Sequence, residues 1–408
     1  MTEPTTGSKS GPRSRISAVL PLSPLQQGLL FLSSYDRTAP DLYTLQFVAD
    51  IDGDAADLER RLRTASAALL RRHPNLRACF RNRKNGEPVQ VVPHEDEVRP
   101  PWAVHDLTDL PEEEREAQAR RIAREDRLRR IDPARPPLMR FALLRLGERR
   151  CRLVWSVHHI LVDGWSLPLA VRELTLLADE RGAAALPEPT AYRSFLNWLG
   201  TRDRAAARTA WAGLLDGLDG PVRVAPEATG TDTELPESVR DFLPERETAA
   251  LTAWARGRGL TLNSVVQGCW AVLLGRLTGR EDVVLGAVTS GRPAEVPGVE
   301  SMIGLFANTL PVRADVRPQR RASELIEELA RQQLAMMPHE HLPLAEVQSA
   351  SGIQGELFDT VLAFLSYPLD EEGLRRETGG AVSAAQVHSA THYPVSYTHL
   401  TLPTILLV

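Results

Sequence analysis

The residue types best suited to chemistry are gathered in one run of ten, Val157-His158-His159-Ile160-Leu161-Val162-Asp163-Gly164-Trp165-Ser166. Histidine is the side chain whose ordinary pKa lies nearest neutrality. That suits it to proton transfer, or to holding a polar reacting group by a hydrogen bond. The run closes a strand-like stretch, Arg152-Leu153-Val154-Trp155-Ser156-Val157. Side chains alternate along a strand, so Leu153, Trp155, Val157 and His159 share one face, and Val154, Ser156 and His158 the other. One imidazole can therefore face a cavity while its neighbour is fixed by the protein behind it. For a bare His-His pair, two packed or surface histidines would be the plainer reading. The Asp-Gly-Trp-Ser turn that follows makes the run more specific.

The elements that must position this run alternate between strand and helix patterns. Leu42 to Ile51 is β-rich, and the helix after it carries Leu58, Leu62, Ala65 and Leu69 at helical spacing. Gly86 to Val92 reads as a strand, and Glu112 to Arg130 as a charge-dense helix with a solvated face. Leu138 to Leu146 and Arg152 to His159 read as paired strands joined by a turn at Gly147-Glu148-Arg149-Arg150. A helix from Ser166 to about Ala178 precedes the Pro-containing stretch Leu186 to Pro189, where a lobe boundary is expected. Further on, Glu245 to Arg258 and Leu262 to Leu277 read as helices, the latter capped by Thr261 or Asn263. Asp282 to Val288 reads as a buried strand.

Composition limits the function classes. With 408 residues, 43% of them hydrophobic, the chain can build a large core in two lobes, and a formal net charge of −5 gives no support to nucleic-acid or membrane binding. Cys79, Cys151 and Cys269 have no metal-ligand spacing and read as reduced, buried thiols of a cytoplasmic protein. No apolar stretch has the length of a membrane span. Residues 1–17 read as a flexible leader or linker.

The ten-residue run resembles the signature of the condensation domains of non-ribosomal peptide synthetases, within the chloramphenicol-acetyltransferase-like acyltransferases. Other motifs follow in the family's order. Leu22-Ser23-Pro24-Leu25-Gln26-Gln27-Gly28-Leu29-Leu30-Phe31 looks like the opening motif, in the form common where two L-residues are joined. Arg72 to Phe80, Tyr192 to Trp198, Ile303 to Arg313, His339 to Leu344 and Phe358-Asp359-Thr360 are similar to later ones. The resemblance implies an α/β fold of two lobes, residues 18–182 and 183–394, in a V-shaped pseudo-dimer with a central channel. It implies amide formation between a donor acyl or peptidyl thioester and an acceptor amine, both carried on the phosphopantetheine of upstream and downstream peptidyl carrier proteins. An adjacent adenylation domain is expected, and no metal or intrinsic cofactor.

By the same resemblance His159 lies in the channel, as a base or as a hydrogen-bonding anchor for the amine. Gly164 leaves space and a backbone N–H near the reacting carbonyl. His158 braces the loop, Asp163 pairs with Arg292 of Ser290-Gly291-Arg292-Pro293, and Trp165 and Ser166 support the turn. Ser23, Gln26, Asn308 and Thr309 are channel-lining candidates, although Asn308 and Thr309 could equally satisfy local backbone groups. Leu25, Leu29, Leu30 and Phe31 are expected in the core. Arg72, His73 and Arg77 are expected to bridge a helix end to the sheet. His339-Glu340-His341 reads as a loop, since no third ligand stands at a familiar metal spacing.

Two other classes stay open: a stand-alone acyltransferase of the same superfamily, and a non-catalytic carrier-binding scaffold. Residues 395–408 resemble a translated sequencing adapter, which would make the preceding domain truncated; the alternative is a real apolar β-segment.

Overall fold

The computed structural model describes residues 15–35, 41–226, 237, 239, 241–365 and 382–400. The chain opens with β1 (Ile16–Leu20), α1 (Pro24–Tyr35), β2 (Thr44–Asp52), α2 (Ala55–Arg72), β3 (Cys79–Asn82), β4 (Pro88–Pro93) and β5 (Trp102–Asp106). It continues through α3 (Glu112–Leu128), β6 (Met139–Arg145), β7 (Arg150–His158), α4 (Ser166–Leu177), α5 (Glu180–Ala185), α6 (Arg193–Gly200) and α7 (Arg204–Leu215). The second half holds α8 (Glu245–Arg256), α9 (Leu262–Thr278), β8 (Asp282–Thr289), β9 (Asn308–Asp315), α10 (Ala322–Met336) and α11 (Leu344–Ser351). It ends with β10 (Thr360–Leu365), β11 (Val382–His388) and β12 (Val395–Leu400).

The strand that carries the histidines is central in its sheet, whose order is β11-β2-β7-β6-β5. Its alternation decides what it packs against. Leu153, Trp155 and Val157 face one core with α2 and α4, where Leu58, Leu62, Ala65 and Leu69 of α2 are all buried. Val154 faces a smaller core under α3 with Ala119 and Ala123. Ser156 on that face donates to the Asp126 carboxylate of α3 at 2.6 Å. A second core lies around the sheet β12-β10-β8-β9, built from residues such as Leu274, Leu285, Leu310 and Phe358. Thr261 caps α9, its hydroxyl accepting from the Ser264 N–H at 3.1 Å.

The two halves are not separate along the chain. β11, from the expected second lobe, pairs antiparallel with β2 of the first sheet. Ile303, Leu305 and Ala307 are buried in the first core. After β7 the chain leaves the first sheet, and it returns to that sheet with β11 and to its core with the 303–307 segment.

Several local expectations are corrected. Ile16 and Ser17 belong to β1, paired with β4, not to the leader; residues 1–14 lie outside the described residues. Phe31 is exposed, because it sits on the outer side of α1 while Leu29 faces the core. Cys269 is exposed, lying off the inward face of α9 formed by Val265, Gly268, Ala271 and Leu274, whereas Cys79 and Cys151 are buried. Arg77 does join a helix end to a strand, donating to Leu70 O and Pro93 O. Arg72 and His73 instead bind Glu173 of α4, at 3.1 and 2.8 Å. Val395–Leu400 form β12, parallel to β10 through six residue pairs. Residues 401–408 lie outside the described residues.

Candidate active site

The site is a tight turn at the end of β7. Leu161 N–H donates to His158 O at 3.0 Å and Val162 N–H to His159 O at 3.2 Å. Ile160, Leu161 and Val162 are fully buried, so apolar burial pins the turn from below.

His158 is sealed in the protein. Its Nδ1 accepts the Ile160 N–H at 3.0 Å, which puts its proton on Nε2. Nε2 lies 3.2 Å from Asp41 Oδ2 and 3.0 Å from Ser33 Oγ, and Ser33 Oγ donates to that same carboxylate at 3.1 Å. Burial pushes the Asp41 carboxyl up, but His158, the Tyr43 N–H and Arg130 outweigh it and hold it below its usual value. The first histidine is thus tied to the turn through Ile160 and to the segment before β2 through Asp41.

His159 is partly exposed. Its N–H donates to Tyr43 O at 2.7 Å. Its Nδ1 is buried with no partner among the described residues. Burial pushes this imidazole below its ordinary pKa, so it is neutral at pH 7. Asp163 does not orient it, because that carboxylate is committed elsewhere.

Asp163 is buried and reads the second half of the chain. Its Oδ1 accepts the Ser166 N–H at 2.8 Å, and its Oδ2 accepts the N–H groups of Phe306 at 2.9 Å and Ala307 at 3.3 Å. Its own N–H donates to Gly304 O at 3.1 Å. Arg292 is close at 3.5 Å, with both side chains almost inaccessible, at 4% and 3%. The expected pair is present, but backbone N–H groups make the shorter contacts. Arg292 also donates to Ser166 Oγ at 2.8 Å, Met302 O at 3.1 Å and Val299 O. Its guanidinium lies over the Phe306 ring, 3.9 Å from the centroid.

Ser166 Oγ donates to Gly304 O at 2.7 Å and accepts the Gly304 N–H at 3.0 Å. Trp165 Nε1 donates to Glu300 O at 2.9 Å. Both residues therefore fasten the turn to the 298–307 segment. Two glycines make this fit possible. Gly291 adopts φ +61°, and a Cβ there would overlap Phe306 O; a Cβ on Gly304 would overlap the Tyr192 ring. Gly164 lies in the turn itself, and among the described residues none accepts its N–H.

The four channel-lining candidates are all buried, and three have visible structural duties. Ser23 N–H donates to Gln26 Oε1 at 2.9 Å; Gln26 Nε2 donates to Ile160 O at 3.0 Å, so this pair supports the histidine turn from behind. Asn308 Nδ2 donates to Glu340 O and Leu342 O at 2.8 and 2.9 Å, and its Oδ1 accepts the Thr309 N–H at 3.0 Å. Asn308 thus ties the start of β9 to the 340–342 turn. Thr309 is buried beside it. The His339-Glu340-His341 segment is a turn, with His341 Nδ1 3.0 Å from Pro338 O. Burial pushes the Glu340 carboxyl up to about 7, although Thr289 partly opposes this.

Ser33, Asp41, Tyr43 and His392 also belong to this neighbourhood, and motif spacing gave no sign of them. Asp41 and Tyr43 stand just before β2, which pairs Thr44 with His158. Pairing the β-rich Leu42–Ile51 stretch with the histidine strand would have brought them beside the two imidazoles.

Among the described residues no helix is long and apolar enough to cross a membrane. A family model described as Condensation domain matches residues 16–400. The chain is 35% identical over 397 residues to a linear gramicidin synthase of Brevibacillus parabrevis, covering 95% of this chain and 5% of that protein. It is 33% identical over 400 residues to bacitracin synthase 3 of Bacillus licheniformis, covering 95% and 6%. It thus spans a small part of the length of these relatives. A crystal structure of the first condensation domain of the CDA synthetase superposes with a TM-score of 0.70 at 24% identity, covering 93% of this chain and 88% of that one. The starter condensation domain of rhizomide synthetase RzmA gives a TM-score of 0.70 at 20% identity, covering 94% and 88%. These two likenesses concern the fold. With its motif turn, its two cores and a family match over nearly its whole length, this chain belongs to the Condensation domain family.

Proposed function

We propose that this chain forms an amide bond between two carrier-bound reactants. The donor is an acyl or peptidyl thioester on the phosphopantetheine of an upstream carrier protein. The acceptor is the amine of an aminoacyl group on a downstream carrier, in a reaction that joins two L-residues. An adenylation domain loads the acceptor carrier, the setting is cytoplasmic, and the chain needs no metal or cofactor of its own.

The observation that carries this reading is His159: a partly exposed, neutral imidazole at the head of a turn whose other polar side chains are all engaged. The amine nitrogen attacks the thioester carbonyl carbon, the C–S bond breaks, and the proton lost by nitrogen ends on the departing thiol. His159 offers Nε2 to the amine, as the group that takes the proton or as the one that aligns the lone pair. The uncommitted Gly164 N–H suits the oxyanion that develops on the carbonyl oxygen. Asp163 and Arg292 hold the turn and transfer no proton.

The test supplies the chain with donor and acceptor carriers loaded with L-residues, and in parallel with a coenzyme A thioester and a free amine. Products are followed by mass spectrometry. Condensed thioester on the downstream carrier, and little product from the free reactants, is the expected result. Product only from the free reactants identifies a stand-alone acyltransferase. No product from either, in a folded sample, leaves a carrier-binding scaffold.

A further inference from the structure

We propose that Tyr43 and His392 are positioning residues for His159, forming a hydrogen-bonded clasp that sets the distance between the catalytic turn and the second sheet. The inference rests on the functional reading above, and concerns residues outside the histidine motif.

The register places Tyr43 beside His159. β2 and β7 pair Thr44 with His158 at the end of their ladder, and the His159 N–H, at the first position of the turn, donates to Tyr43 O at 2.7 Å. The Tyr43 backbone therefore holds the His159 amide, while its side chain is fixed elsewhere. Tyr43 is 7% exposed, so its hydroxyl needs a partner inside the protein.

That partner is His392 Nδ1. His392 lies in the short segment between β11, which belongs to the first sheet, and β12, which belongs to the second. From there aromatic rings continue into the second core. His392 and Tyr393 have centroids 4.0 Å apart, Tyr393 stacks on Phe358 at 5.9 Å, and Phe358 is 1% exposed. Gly286 of β8 lies against the Phe358 ring, where a Cβ would overlap it. A continuous path of packed rings thus runs from the neighbour of His159 to the centre of the second sheet.

The hydrogen bond has a defined direction. Burial lowers His392 to about 4, while burial, with Tyr393, Asp41 and Glu356 nearby, raises Tyr43 well above its ordinary value. At neutral pH the phenol donates and the imidazole accepts. Two tethered reactants must meet at one histidine, and a misplacement of about 1 Å can cost on the order of 100-fold in rate. A clasp between the two sheets beside that histidine removes this freedom.

The test compares Tyr43→Phe, His392→Leu, their double variant and His392→Gln, whose amide oxygen can still accept from the phenol. With loaded carriers, each of the first two is expected to lower kcat by about 10- to 100-fold with KM for either carrier unchanged. The double variant is expected to be no worse than the weaker single one, because both remove one interaction. His392→Gln is expected to recover most of the loss. Near wild-type kcat in folded Tyr43→Phe, or losses that multiply in the double variant, overturn the proposal. Hydrogen exchange at the His159 amide gives a readout independent of turnover. It is expected to quicken in His392→Leu, and unchanged exchange also counts against the clasp. If the wild-type chain makes no amide, the functional reading fails while the exchange measurement still decides the clasp.

Discussion

Adjacent imidazoles in this chain have opposite surroundings, and the proposed division of labour between them rests on that difference. His158 is locked between the Ile160 N–H and the Asp41 carboxylate, whereas His159 keeps a buried Nδ1 without a partner among the described residues. Because burial disfavours the charged form of His159, the acid limb of kcat/KM is expected below the ordinary histidine value of about 6.5. A pH-rate profile checks this, and a limb at or above that value contradicts the lowered imidazole pKa. The same group contributes to stability with a defined sign. Its folded pKa is lower than its unfolded one, so its contribution is full above about 6.5 and is lost as pH falls through the folded value. Glu340 has the reverse sign, since its folded pKa is raised to about 7: stability falls as pH rises through that value, and Glu340→Gln is expected to raise the unfolding midpoint at pH 8 more than at pH 5. Equal shifts at both pH values would show that Glu340 is an ordinary carboxylate. At Asp163, removal of one partner leaves Arg292 uncompensated and the Phe306 and Ala307 N–H groups unpaired. Breaking a buried pair costs about 3–5 kcal/mol. Asp163→Ala and Arg292→Ala are each expected to destabilise the fold, and the double variant to cost less than their sum. Strictly additive losses in denaturant titrations would refute the coupling, and intact stability with abolished turnover in Asp163→Ala would place that carboxylate in the chemistry.

The working element is a turn held by a segment far away in sequence, and only half of that arrangement could be read from periodicity. The alternation of β7 was legible because each face has its own environment: Leu153, Trp155 and Val157 against one core, Ser156 and His158 against polar partners. The helical spacing of Leu58, Leu62, Ala65 and Leu69 was legible for the same reason. The engagement of Gln26 behind Ile160, and of Asn308 with Glu340 O and Leu342 O, was not. Buried amides that satisfy distant carbonyls leave no periodic trace, so motif membership alone made them candidates for the channel. The 303–307 segment is where this packing is tightest. Gly304→Ala would force its new methyl into the Tyr192 ring and lift the segment from Asp163 and Ser166. Overpacking of this kind costs about 1–3 kcal/mol. The variant is expected to lose that stability and to lose turnover with it; a variant as stable as the parent would show that the segment can shift without consequence.

At the scale of the molecule, the two larger sheets, β11-β2-β7-β6-β5 and β12-β10-β8-β9, have separate cores and are tied by chain that crosses between them. The sequence order suggested two successive halves, but β11 returns to the first sheet and Ile303, Leu305 and Ala307 enter its core. A linear boundary cannot express such a crossover, because strand partners are chosen by edge and register, not by position along the chain. The crossover places Asp163 against 304–307, and Tyr43, whose carbonyl accepts the His159 N–H, against His392. His159 is thereby left as the one chemically free side chain of an otherwise committed turn. Single-turnover condensation with loaded donor and acceptor carriers, comparing the parent with His159→Ala at matched unfolding midpoints, tests this most directly. The predicted result is a loss of about 100- to 10,000-fold in the amide-forming step, the range typical for a positioned acid–base group. A folded His159→Ala chain that condenses its substrates at near the parental rate would contradict it.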